Sequence, residues 1–103
     1  MSIAYFFDMP QVTPDMAAQL SAYINEHTGG ARPEGALYHA EGPSETGGWW
    51  SFNVWETHEQ FTRFYEAFVL PAAEQIGAGT LDYRQLDVAW DTSQLPGASS
   101  SET

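Results

Sequence analysis

The chain has 103 residues, a formal net charge of −11, no lysine and no cysteine. With Arg32, Arg63 and Arg84 as its only fixed cations, it cannot build the positive patch that nucleic acid or an anionic membrane surface requires. The lack of thiols excludes disulfides, thiol catalysis and cysteine metal ligands. The N-terminal run "MSIAYFFDMPQ" has no basic flank and is interrupted by Asp8, so it does not read as a signal peptide. No apolar run approaches the roughly 18 residues of a membrane span. A cytoplasmic protein is expected, with one domain over 1–91 and a polar, disordered tail over 92–103.

The first strand is "IAYFFDM" (3–9), β-branched, aromatic and bounded by Pro10. Thr13 follows as an N-cap, with Pro14 at the first helical position and Asp15 beside the positive helix end. Met16, Leu20, Tyr23, Ile24 and His27 then recur at helical steps, and the glycines of "TGG" (28–30) end this helix. "GALYHAEGP" (35–43) and "GGWWSFNVWE" (47–56) read as two strands of a hairpin, joined by the turn residues "PSETG". Thr57 and Gln60 fit a capping box that opens a second helix. Its buried stripe is Phe61, Phe64, Tyr65 and Phe68. Pro71 should break or kink it, with a restart through "AAEQI" and a stop at "GAG" (77–79). "LDYRQLDVAW" (81–90) is the last strand. The order βαββαβ predicts an α+β, ferredoxin-like fold: a four-stranded antiparallel sheet with both helices on one face.

That arrangement leaves one sheet face bare, yet both faces are apolar. In the third strand Trp50, Phe52 and Val54 point one way, and Trp49, Ser51, Asn53 and Trp55 the other. In the first, Ile3, Tyr5 and Phe7 oppose Ala4, Phe6 and Asp8. Helices cover only one side, and a bare apolar face of that size is more than a monomer tolerates. A homodimer sealed through Trp50 and Phe52 is the economical solution.

Beyond this pattern, "GALYHAEGP" followed by "GGWWSFNVWETHEQFTRFYEAFVLPA" resembles the small dimeric α+β-barrel proteins related to the antibiotic-biosynthesis monooxygenases. The matching features are a hairpin with a histidine in its first strand and Gly-Pro at its turn, a V-W-E-T-x-E-x-F junction into the second helix, and a proline-interrupted helix end. The resemblance spans about residues 3 to 90. It implies a dimeric α+β barrel and a pocket for a flat small molecule. The superfamily includes cofactor-free oxygenases, polyketide cyclases, haem-degrading enzymes, isomerases and proteins of no known activity, so the fold does not choose among them. Haem-degrading relatives carry a histidine later on the second helix. "FYEAFVLPAAEQ" has none, which argues against haem. Others carry one near the end of the last strand, where "LDVAW" offers Ala89.

Candidate site residues follow from chemistry and position. Trp55, at the junction that lines the cavity in relatives, either forms a pocket wall or plugs the end of the sheet. Asn53, two residues earlier on the same face, is a polar amide among apolar neighbours. If buried it must meet a partner or a ligand oxygen. His39 is the natural general base near neutral pH. Pairing opposite Ser51 would place it on the face of Asn53 and Trp55, whereas a slip of one residue would place it on the other. Tyr65 can present a phenol over the sheet. Trp49, Phe64 and Phe68 supply ring surfaces, and Arg84 either fixes an enolate or carboxylate or pairs with an acid. Asp8 is a weaker acid–base candidate. His27 and His58 read as structural or surface groups, and the three histidines lack metal-ligand spacing. No phosphate cradle or cofactor motif is present.

These residues support three readings. One is a cofactor-independent monooxygenase acting on a flat aromatic or polyketide-like molecule, with His39, Asn53 and Tyr65 catalytic and Trp49, Trp55, Phe64, Phe68 and Arg84 binding the substrate. Another is a cyclase or isomerase in the same pocket, in which His39 and Tyr65 shuttle protons. The third is a non-catalytic small-molecule-binding dimer. None needs a cofactor or metal.

Overall fold

In the computed structural model, residues 2–91 are described. The expected tail, 92–103, lies outside them. Strands β1 (Ile3–Met9), β2 (Ala36–Pro43), β3 (Trp49–Trp55) and β4 (Tyr83–Asp87) form one sheet in the order β2-β3-β1-β4. Every neighbouring pair is antiparallel. Helix α1 (Pro14–Thr28) connects β1 to β2, and a second helical segment connects β3 to β4. This is the βαββαβ, ferredoxin-like layer that the sequence predicts, and among the described residues no helix is long and apolar enough to cross a membrane.

Local chemistry sets the element ends. Thr13 accepts from the Met16 N–H at 3.1 Å and caps α1. Gly29, with φ 72°, ends it by sending its own N–H to the Asn25 carbonyl. That left-handed geometry costs glycine little. At the far end of the hairpin, Gly48 passes so close to β1 that a Cβ there would lie 2.5 Å from the Pro10 Cα. Any side chain at 48 would force the two strand ends apart.

The second helical segment departs from expectation. Thr57 caps α2 (His58–Phe64), accepting from the Gln60 N–H at 3.1 Å. Helical winding then continues to Gln75 without the break expected at Pro71. Instead a π-turn (Tyr65–Val69) precedes α3 (Leu70–Gln75), and the Leu70 N–H bonds back five residues to the Tyr65 carbonyl. The wider turn takes up one extra residue just upstream of the proline, which sits in the first turn of α3, where a missing N–H is tolerated.

The hairpin register also differs. His39 pairs with Asn53, and Glu41 pairs with Ser51, with a bulge between Ala36 and Tyr38. The sequence left open a His39–Ser51 pairing or a slip of one residue, and the observed register is two residues from the first. Two residues is one full side-chain period, so His39 lies on the face of Asn53 and Trp55. β4 is shorter than the expected 81–90, pairing with β1 from Tyr83 to Asp87 only, and Leu81 is buried ahead of it.

The core lies between the sheet and the helices. Tyr5 is fully buried and stacks on Phe61, with ring centroids 3.6 Å apart and planes within 10°. Phe7, Met9, Val12, Ala17, Trp55, Ala73 and Leu81 complete it. The Tyr5 hydroxyl is 2.7 Å from His58 Nδ1. Burial, with a smaller contribution from Tyr83, pushes its pKa to about 12. The phenol thus stays protonated, and its hydrogen bond with His58 is a structural partnership across the end of the sheet.

Candidate functional site

Between the helix-covered face of the sheet and the helices lies a cavity of about 330 Å³, at the low end of the range for small-molecule sites. The sheet supplies its floor through Phe7, Trp49, Ser51 and Asn53. One wall is α1, through Ala17, Leu20, Ser21 and Ile24, and the opposite wall is Phe61, Phe64, Tyr65 and Val69. No arginine lines it, and lysine is absent from the chain. The charge in it comes from the β2 hairpin strand, where His39 and Glu41 point onto the covered face.

Those two residues belong to a hydrogen-bonded row. Trp49 Nε1 donates to Glu41 Oε1 at 2.9 Å. Glu41 Oε2 faces His39 Nε2 at 3.3 Å. His39 Nδ1 meets Asn53 Oδ1 at 2.5 Å. An amide oxygen on Nδ1 requires a proton there, so any lone pair on the neutral ring resides on Nε2. The hydrogen bond to Glu41 raises the His39 pKa above its ordinary value, with burial opposing and Asn53 and the Glu41 charge adding. The bond from His39 holds the Glu41 carboxyl below its usual range, with burial opposing and Trp49 adding. Each group thus favours the charged form of the pair, imidazolium and carboxylate, more than it would alone. The 3.3 Å separation is long for a charge-assisted bond, and the pair is open to exchange with a ligand hydroxyl.

Two further polar groups complete the site. Ser51 is 8% exposed, and its hydroxyl has no side-chain hydrogen bond among the described residues. A buried hydroxyl left without a partner costs about 1–3 kcal/mol, so an oxygen-bearing ligand over it would be favoured. The Tyr65 hydroxyl reaches the Leu81 carbonyl at a weak 3.4 Å. Burial pushes its pKa up, with Tyr83 and Asp82 adding, so it remains a neutral donor.

Of the sequence candidates, His39, Asn53, Tyr65, Trp49, Trp55 and Phe64 all line this cavity. Trp55 does so with little surface. It is 4% exposed and wedged against Phe61 and Phe64, at centroid distances of 6.0 and 5.5 Å. It is a core residue with one edge on the cavity. Phe68 does not line it. The π-turn puts Val69, five residues after Phe64, where an unbroken α-helix would put Phe68, and Phe68 packs beside Phe64 instead at 5.3 Å. Arg84 is on the opposite sheet face, paired with Phe6, and its guanidinium lies 5.7 Å from that ring. Its strand parity decides this, since Tyr83, one residue earlier, pairs with Phe7.

Sequence reasoning missed Glu41 and Ser51 as site groups, and it missed the α1 wall. The alternation of "YHAEG" puts Glu41 on the face of His39, which is the signal that could have found it. Among the described residues no cluster of three or more His, Cys, Asp or Glu could hold a metal ion.

Several solved structures share this fold. SnoaB, a cofactor-independent oxygenase from Streptomyces nogalater, is 16% identical, with 88% of this chain and 94% of that chain covered at a TM-score of 0.54. A dimeric ferredoxin-like protein of unknown function from Thermobifida fusca is 16% identical over 85% of this chain and 92% of its own, at 0.59. A candidate antibiotic biosynthesis monooxygenase from Deinococcus radiodurans is 12% identical over 88% and 95%, at 0.56. At these identities the likeness establishes the fold, which is the one the sequence motifs suggest. No protein-family model and no curated protein matches the chain.

Proposed function

We propose that the protein is a cofactor-independent enzyme that removes a proton from the hydroxyl of a flat, electron-rich aromatic molecule and lets the resulting anion react with dioxygen. The observation that carries this reading is the row Trp49–Glu41–His39–Asn53 along one side of an aromatic-walled cavity. Asn53 fixes the histidine tautomer, so that Nε2 of the neutral ring is the base. A substrate hydroxyl entering between Nε2 and Glu41 would donate to Glu41 while the ring is protonated and to the Nε2 lone pair once it is neutral. The O–H proton passes to His39, and the ring anion gives its electrons to dioxygen as a C–O bond forms at a ring carbon. His39 returns the proton to the distal oxygen of the peroxide. The O–O bond then breaks, leaving a carbonyl on the ring. The distal oxygen departs as water, with the returned proton and the hydrogen from that carbon. Trp49 and Phe64 hold the ring, and the Ser51 and Tyr65 hydroxyls are placed to bond its oxygens. The cofactor-independent oxygenase among the structural neighbours, SnoaB, supports the choice of chemistry.

The assembly that goes with this reading is a homodimer through the helix-free face. Phe6, Trp50, Phe52, Val54 and Leu86 share that face. Tyr38 stands 57% exposed and packs edge-on against Phe52. The dimeric neighbour from Thermobifida fusca supports it.

The test is oxygen uptake with a panel of polycyclic phenols. The expected result is one dioxygen consumed per carbonyl formed, with one labelled oxygen atom retained in the product. His39→Ala should abolish uptake while leaving binding within a few-fold. Turnover without oxygen would instead assign the site to isomerisation or cyclisation. Binding with no turnover in either gas phase would leave a binding protein.

A further inference from the structure

Glu41 is unusual for a cavity with so much aromatic wall. It is a carboxylate at the pocket edge of a protein of net charge −11, and the cavity holds no arginine or lysine to offset it. Both its oxygens are anchored, Oε1 by the Trp49 indole at 2.9 Å and Oε2 by His39 at 3.3 Å. The single cation of the site is thus already matched to a single anion. Beside the pair, the hydroxyl of the buried Ser51, which has no side-chain hydrogen bond among the described residues, faces Glu41 across the two strands.

From this arrangement we infer that Glu41 is a specificity-determining residue: it admits aromatic ligands carrying an uncharged hydroxyl and rejects the same rings carrying a carboxylate. The inference rests on the functional reading above and narrows its substrate class. Each carboxylate oxygen keeps a second lone pair, so a phenolic O–H can donate to Glu41 without displacing Trp49. Ser51 can bond the same phenolic oxygen. A ligand carboxylate has no proton to donate. It would place two negative charges around one imidazolium in a partly dehydrated site, where like charges repel strongly. His39, Glu41 and Asn53 sit on adjacent strands, and the polar side chains that the facing helix α1 brings to the cavity, Ser21 and Asn25, are neutral. The selection therefore depends on Glu41 and not on a wider charge pattern.

The probes are 2-naphthol and 2-naphthoate, compared by calorimetric titration at neutral pH. The wild-type protein should bind the naphthol at least about tenfold more tightly. Glu41→Gln keeps an acceptor for Trp49 but removes the charge. It should bring the two affinities within about twofold, chiefly by strengthening naphthoate binding, because His39 is then free to pair with it. Glu41→Asp should keep most of the preference. Glu45→Gln makes the same change in net charge in the hairpin turn, outside the cavity, and should leave the ratio unaltered. The proposal is overturned if Glu41→Gln leaves the ratio at its wild-type value, if Glu45→Gln shifts it equally, or if neither probe binds the wild type. Oxygen uptake separates this from the catalytic reading. A shifted ratio without uptake removes the oxygenase assignment and keeps the selection. Uptake with an unshifted ratio does the reverse.

Discussion

The two faces of the sheet are made from the same four strands and come out as different kinds of surface. On the covered face, Tyr5, Phe7 and Trp55 pack at under 5% exposure against the helices, and the space left among them is a cavity with one polar edge. On the bare face, Phe6, Phe52 and Val54 remain half-buried, the Trp50 indole lies over Gly42, and Leu86 stands 48% exposed. Hydrophobicity is similar on both. The covered face has its partner within the chain, whereas no helix covers the bare one among the described residues, and the partner proposed for it is a second copy. The lesson is that apolar alternation in a strand identifies two surfaces to be buried without saying that they are buried by the same molecule.

Substitutions on either side should separate these roles. The largest effect is expected at Phe61, which stacks on Tyr5 and touches Trp55. Phe61→Ala should cost about 3–5 kcal/mol of protomer stability, read as a large fall in the urea midpoint whatever the protein concentration. Phe52→Glu should act in the opposite sense. It puts an unpaired charge into the proposed dimer contact and should weaken association by roughly 3 kcal/mol, a little over a hundredfold, while far-UV circular dichroism stays native. A well-behaved wild-type monomer at micromolar concentration in sedimentation would remove the bare face's partner altogether.

A smaller effect is expected at Trp49, where loss of the indole N–H frees Glu41 and reduces the stacking surface. Trp49→Phe should weaken binding of an aromatic ligand by on the order of 1 kcal/mol, measured by calorimetry. The smallest concerns pH. Glu41, with its lowered pKa, contributes stability that is present above the ordinary glutamate value and lost as pH falls through the lowered one. His39, with its raised pKa, contributes below the ordinary histidine value and loses its contribution as pH rises through the raised one. The pair therefore stabilises between those two limits. With side chains 52% and 37% exposed, the gain should stay below about 1 kcal/mol. Thermal melts should show wild type ahead of Glu41→Gln near pH 6 and level with it near pH 9. The same logic applies to turnover. The acid limb should lie above pH 6.5, since the base must be neutral, and should move down in Glu41→Gln.

Much of this architecture was legible because it depends on local chemistry. Thr13-Pro14, the glycine stop after Thr28 and the Thr57 cap are decided within a few residues, and each is found where the sequence puts it. Parity told which residues of one strand share a face, so His39 could be weighed as a neighbour of Asn53, while the register between the two strands stayed open until the structure paired them. What was not legible depends on distant parts of the chain. The Ser44–Gly48 turn closes with the Ser44 N–H on the Gly48 carbonyl at 2.8 Å, and turn residues alone did not set that length. The α1 wall needs the packing of a helix from another part of the sequence. Arg84 was misplaced because the face it takes depends on the pairing of β4 with β1, which sets it opposite Phe6.

The π-turn between Tyr65 and Val69 makes the wall of the cavity tolerant of a change in chain length. A π-turn is one residue longer than the α-turn it replaces, so it stores a single insertion inside a continuous helix. Deleting one residue there, Ala67 for instance, would let the segment relax to α-winding and leave Val69 over the cavity, now four residues after Phe64. The helix on either side of the turn would keep its face. A gain or loss of one codon at this point is thus absorbed inside the helix, and the wall of the cavity tolerates a change in chain length that elsewhere in α2 or α3 would rotate it away.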